Sequence, residues 1–158
     1  MMKKIFYFTI LLLVALVSVR KAVASVSFTE KQLLANINNA RVAADMTGYT
    51  QAYMGSALER AAHAKLADMQ KYKYWSHDNP VTQEQWWKII YKMGVRGKVA
   101  ENLARGYSDS AKVVSGWEAS AAHHTNLFSQ VYKKVGLAIG EVEYKEGTKT
   151  VVVAVFGE

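Results

Sequence analysis

The sequence contains no cysteine. That absence excludes disulfides, thiolate metal ligands and thiol redox chemistry, so stability has to come from packing. Proline is nearly absent as well. The one proline, Pro80, ends a helical stretch and holds Asn79 extended. There is no H-E-x-x-H, no G-x-S-x-G and no glycine-rich phosphate loop. Internal repeats and low-complexity segments are missing too. No run of Lys and Arg is long enough to argue for nucleic acid, and no nucleic-acid partner is expected.

What is present suits one folded domain. Of 158 residues, 51% are apolar and 21% charged, which is not a disordered composition and allows one hydrophobic core. The first residues stand apart. "MMKK" is followed by a charge-free apolar run of fifteen, Ile5 to Val19, and then by "RKAVAS" with Ala22 and Ala24 in an A-x-A pattern. This pattern predicts a signal peptide over residues 1–24, cut before Ser25, and a domain over 25–158. The run is shorter than the roughly 20 residues a spanning helix needs. The expected location is therefore secreted or extracytoplasmic. The alternative, an uncleaved N-terminal membrane anchor, draws on the Arg20–Lys21 pair. Residues 1–24 carry Lys3, Lys4, Arg20 and Lys21 and no acid, so their removal lowers the formal net charge from +7 to +3.

Periodicity predicts four helices. The first opens at Ser27-x-x-Glu30, read as a capping box, with Leu33, Leu34, Ile37, Ala40, Arg41 and Ala44 on one face and a stop before Gly48. The second repeats the device at Ser56-x-x-Glu59, with Leu58, Ala61, Ala62, Leu66 and Met69 as its stripe. A third runs from an N-cap at Thr82 to Gly94. Its adjacent Trp86 and Trp87 cannot share a face, so one is expected inside and the other partly exposed. "VRGKVAENLARGYS" has no clear period and reads as a long loop with a short extended piece. The fourth helix spans "SDSAKVVSGWEASAAHH", with Val113, Trp117, Ala121 and His124 on one stripe. "VGLAIGEVEY" and "TKTVVVAVFG" then read as a β-hairpin. Helices first and strands last give an α+β domain.

Four polar residues stand out from this frame: His77 in "WSHDNP", Glu101 in "AENLARG", Ser120 in "WEAS" and His123 in "AHHTN". His63, in mid-helix, reads as a partly exposed helix histidine. His123 and His124 are neighbours and point about 100° apart on a helix, so they cannot face one ligand together. Glu101 sits among apolar residues, and a buried carboxylate there needs a partner, for which a histidine is suited.

The ordered set "LLANINNAR…G", "SALERAAHAKLADM", "WSH", "AENLARG" and "VSGWEASAAHHTNLF", followed by "VGLAIG" and a terminal "VFG", resembles the CAP superfamily. These are the cysteine-rich secretory, antigen 5 and pathogenesis-related 1 proteins, whose domain is also called SCP. The resemblance covers about Leu33 to Gly157 and implies an α-β-α sandwich, with helices on both faces of a small antiparallel sheet. It also implies a central His-Glu-Glu-His cleft linked to divalent metals. His77 matches the first histidine, Glu101 the first glutamate and His123 the second histidine, with His124 at an aromatic's place. The second glutamate's place holds Ser120, a departure shared with compact bacterial-type members.

The implied function is a secreted, non-catalytic binding module, with a lipid, glycan, cell-envelope component or protein as ligand. The alternative is a zinc-dependent hydrolase. In it, His77 and His123 ligate Zn²⁺ or another divalent cation, and Glu101 orients one of them or acts as general base. A third reading, compatible with the first, is structural: Glu101 ties the long loop to the helices.

Overall fold

The computed structural model describes residues 26–51 and 55–158. The expected signal peptide, residues 1–24, lies outside them. Five helices and four strands follow in the order α1 (Glu30–Ala43), β1 (Thr50–Gln51), α2 (Ala57–Tyr72), α3 (Trp86–Lys92), β2 (Val99–Arg105), α4 (Ser110–Glu118), α5 (Ala121–Leu127), β3 (Lys134–Tyr144) and β4 (Gly147–Gly157). Among the described residues, no helix is long and apolar enough to cross a membrane.

The long hairpin β3–β4 is the centre of the sheet, whose strand order is β1-β3-β4-β2. β2 and β3 both pair antiparallel with β4, and the two-residue β1 adds a parallel step on β3. Successive residues of a strand face opposite ways. Along β4, Val152, Ala154 and Phe156 enter one core with Leu33, Ile37, Val113, Trp117 and Leu127. Val151, Val153 and Val155 enter a second core with Leu58, Ala62, Leu66, Met69 and Ile90. Helices therefore cover both faces, and the expected α-β-α sandwich is borne out. Contact on the second face is close at Gly136, where any Cβ would collide with the Leu58 carbonyl and the Glu59 amide. The missing side chain seats the first turn of α2 directly on β3.

Several boundaries differ from the sequence expectation, each for a local reason. The capping box of α1 is Thr29 with Gln32, bonded reciprocally at 3.2 and 2.8 Å. Ser27 instead donates to the Ser108 carbonyl. Ser56 caps α2 as expected. α3 starts four residues after Thr82, because Asp78 Oδ1 accepts the Trp86 amide at 2.9 Å. Within it Trp86 is half-buried, while Trp87 is exposed and meets it edge-on.

Two larger corrections bear on the site. The segment expected to be mostly loop contains the seven-residue strand β2, buried along most of its length. Burial on both faces erases the polar–apolar alternation that marks a half-exposed strand. The single helix expected over residues 108–124 breaks after Glu118, and Ser120 is the N-cap of a new helix. The stripe through Ala121 and His124 therefore does not exist. Val113 and Trp117 are buried, but Ala121 and His124 are exposed, and His124 lies against Phe128 at 4.4 Å between ring centroids.

Candidate functional site

β2 lies at the edge of the sheet, and its adjacent residues Glu101 and Asn102 point to opposite faces. Each anchors one wall of side chains, one carrying His77 and the other His123.

On the α2 side, Glu101 Oε1 meets His77 Nδ1 at 2.7 Å. The carboxylate is almost wholly buried while the imidazole is half exposed (side-chain exposures of 1% and 48%). A carboxylate can only accept, so Nδ1 carries a proton, and in the neutral ring Nε2 keeps its lone pair. Glu101 Oε2 is also buried and has no hydrogen-bond partner.

The loop that carries His77 is pinned by a residue the sequence reading passed over. Lys65 of α2 is fully buried, and its three N–H groups donate to Tyr74 Oη at 2.9 Å, the Ser76 carbonyl at 3.1 Å and the His77 carbonyl. Tyr74 in turn donates to Asp68 Oδ2 at 2.5 Å, which also accepts from Asn79 Nδ2 at 2.9 Å. Buried Asn79 closes the turn by accepting the amides of Val81 and Thr82. Burial pulls the Lys65 ammonium below its usual range, and the charges of Glu101, Asp68 and Asp78 pull it back up. Burial first, then the bond to Asp68, pushes the Tyr74 phenol up, so it stays a donor. A usable signal did exist: Lys65 stands four residues from both Ala61 and Met69, inside the buried stripe of α2.

On the other side, the Asn102 amide donates to the His123 carbonyl at 3.0 Å, and Asn126 donates to Asn102 Oδ1 at 2.9 Å. Burial holds the His123 imidazole below its usual range, and the charge of nearby His77 acts in the same direction. His123 is thus neutral at neutral pH and keeps a lone pair.

Beside the wall that carries His123 opens a cleft of about 350 Å³ whose lining includes Trp75, Arg105, Tyr107, Trp117, Ser120 and His123. Trp117 is fixed there by donating Nε1–H to the Leu103 carbonyl at 3.1 Å. Gly116 leaves the space over α4 that the Tyr107 ring occupies. Of the four residues singled out from the sequence, Ser120 and His123 line this cleft, whereas His77 and Glu101 stand outside its lining. His77, Glu101 and His123 do not form a tight three-atom ligand cage. Among the described residues, such a gathering within 4.8 Å occurs at Glu30, Glu59 and His63 instead. The arrangement at the cleft is a histidine oriented by a buried carboxylate, with a second, neutral histidine close by.

Helices on both faces of a short, mainly antiparallel sheet, with an imidazole–carboxylate pair at the outer strand, define the class that the sequence resembles, the CAP or SCP domain. The sequence profile of the cysteine-rich secretory protein family (CAP) matches residues 34–156, and the chain belongs to that family. It is a cysteine-free member. The protein YkwD of Bacillus subtilis (strain 168) is 29% identical over 123 residues, 77% of this chain and 46% of YkwD. The chain thus spans less than half the length of that relative. An outer surface protein of Borrelia burgdorferi has the same fold, with a TM-score of 0.65 at 19% identity, covering 81% of this chain and 90% of its own. An extracellular SCP-domain protein of Bacillus anthracis matches with a TM-score of 0.62 at 22% identity, over 80% of this chain and 39% of its own.

Proposed function

We propose that this chain is a secreted, non-catalytic binding module. It holds a divalent cation, Zn²⁺ or a similar ion, on His77 and His123, and takes a glycan of the cell envelope in the adjoining cleft. The observation that carries the reading is the 2.7 Å bond between Glu101 and His77 Nδ1. A carboxylate bonded to one ring nitrogen fixes the tautomer and aims the other nitrogen outward, the usual support of a metal-binding histidine. It also makes Glu101 a supporting group rather than a ligand, in keeping with the absence of a tight three-atom cage. A divalent ion held there would supply coordination sites for a ligand oxygen.

Two features support binding over catalysis. Ser120 occupies the place of the family's second glutamate, so the cleft has no second carboxylate to share proton transfers. Its lining joins the rings of Trp75 and Tyr107 to the Arg105 guanidinium, the Ser120 hydroxyl and the His123 imidazole, a mixture suited to a sugar's apolar faces and hydroxyls. The named locations of the Borrelia and Bacillus anthracis proteins support export.

The test is a Zn²⁺ titration followed by the NMR signals of His77 and His123, with a parallel pull-down on cell-envelope glycans. Saturable shifts of both rings and glycan retention, without turnover of ester, peptide or glycoside substrates, are expected. Zn²⁺-dependent turnover abolished in Glu101→Gln would establish the hydrolase instead.

A further inference from the structure

We propose that Glu30, Glu59 and His63 form a second divalent-cation site of the Zn²⁺ class, on the side of α2 turned away from the cleft. One ligand atom from each lies within 4.8 Å of the other two, and His63 Nε2 is 3.5 Å from Glu30 Oε1. Glu59 and His63 stand one turn apart on α2, and Glu30 reaches across from the first turn of α1. His63 and Lys65 are two positions apart, about 200° around the helix, so the cluster does not share the side that pins His77.

A second observation sets this group apart from a chance surface ion pair. Glu59 Oε2 is buried and has no hydrogen-bond partner. Glu59 stands where a capping box would turn its carboxylate back to the helix start, yet this oxygen bonds to nothing. The seating of α2 on β3 at Gly136 holds that turn in place. A buried carboxylate oxygen without a partner is costly, and a cation removes the cost. Burial also raises the Glu30 carboxyl, and the Glu59 charge adds to that rise against the pull of His63. Two carboxylates and one imidazole, with positions left for water, match zinc-type coordination. Ca²⁺ and Mg²⁺ favour all-oxygen sets.

The test uses the full chain and equilibrium dialysis against Zn²⁺. Silencing the cleft with His77→Ala and His123→Ala together should leave one equivalent bound. Adding His63→Ala should remove it, and Glu59→Gln on the same background should weaken it by about tenfold or more. Zn²⁺, but not equimolar Mg²⁺, should shift the His63 ring signals. No Zn²⁺ bound to the folded cleft-silenced chain would overturn the proposal, leaving His63 as an ion-pair partner of Glu30. Stoichiometry unchanged by His63→Ala would overturn it too. The cleft is read separately, from His63→Ala with His77 and His123 intact.

Discussion

On the wall that carries His77, the holding groups are a buried ammonium and phenol and the half-buried carboxylate of Asp68. On the wall that carries His123, they are neutral amides at one end of α5 and a guanidinium at the other. Arg41 donates to the Leu127 and Ser129 carbonyls at 2.8 and 3.0 Å, and Tyr49 donates to the Asn126 carbonyl at 2.8 Å. These donors cover carbonyls that a helix end leaves without intrahelical partners. The difference has an energetic meaning. A buried charge depends on all its partners together, because each group left behind is stranded in a poorly solvating interior. Neutral bonds to main-chain carbonyls are lost one at a time, each at a modest cost.

The largest expected effect follows from Lys65, the buried cation of the first wall. Lys65→Met keeps the length of the side chain and removes all three donors. It strands the Ser76 and His77 carbonyls and leaves the Tyr74–Asp68 pair without its cation. The expected loss is about 3–5 kcal/mol, read from the denaturant midpoint, with Tm lower by about 10 °C or more. His77 should also lose its fixed place on Glu101, seen as a weaker Zn²⁺ response of the His77 ring. A loss below about 1 kcal/mol would erase the distinction between the walls.

A middle effect is expected where neutral amides, rather than Arg41, hold the second wall. Asn102→Ala removes the bond to the His123 carbonyl and leaves Asn126 without one acceptor, at an expected cost of about 1–2 kcal/mol. Hydrogen exchange should quicken in α5 and stay slow in the turn that Asn79 closes. Quickening of both walls together would mean that β2 transmits the damage and that the walls are one unit.

This division into walls explains how much could be read in advance. Helices with one apolar face, and the hairpin of β-branched residues, announced themselves through their periods. So did the capping role of Ser56, since its hydroxyl needs only the amide three residues on. β2 did not, because both of its faces are covered and its centre is polar. Glu101 and Asn102 look like loop residues until the third dimension supplies their partners. The order of family motifs singles out His77, Glu101 and His123; of these His123 lines the cleft, while Glu101 pairs with His77 outside its lining. The breaking of the long helix at Ser120 was hidden by an uninterrupted run of helix-compatible residues. Lys65 was masked by its type, since lysine is expected at the surface and only its position in the stripe says otherwise. The cluster of Glu30, Glu59 and His63 joins two helices, a proximity no local spacing encodes.

The smallest effect tests the walls through pH. His123 has no carboxylate of its own, whereas His77 has Glu101. Burial and the neighbouring His77 charge keep the folded His123 below its ordinary value of 6.5. As pH falls through that value, the unfolded chain takes up a proton that the folded chain still refuses. Stability therefore declines with falling pH from about 6.5 down to the folded value, and above 6.5 this group adds no slope. His123→Gln should flatten that acid-side decline without altering stability at neutral pH, as measured by denaturant melts at several pH values. His77→Gln should act on the same titration by a different route: with the neighbouring positive charge gone, the His123 ring should titrate at higher pH in NMR. Burial is the larger of the two causes, so the ring should still titrate below 6.5. A return to 6.5 would mean that charge, not burial, sets the environment of the second wall.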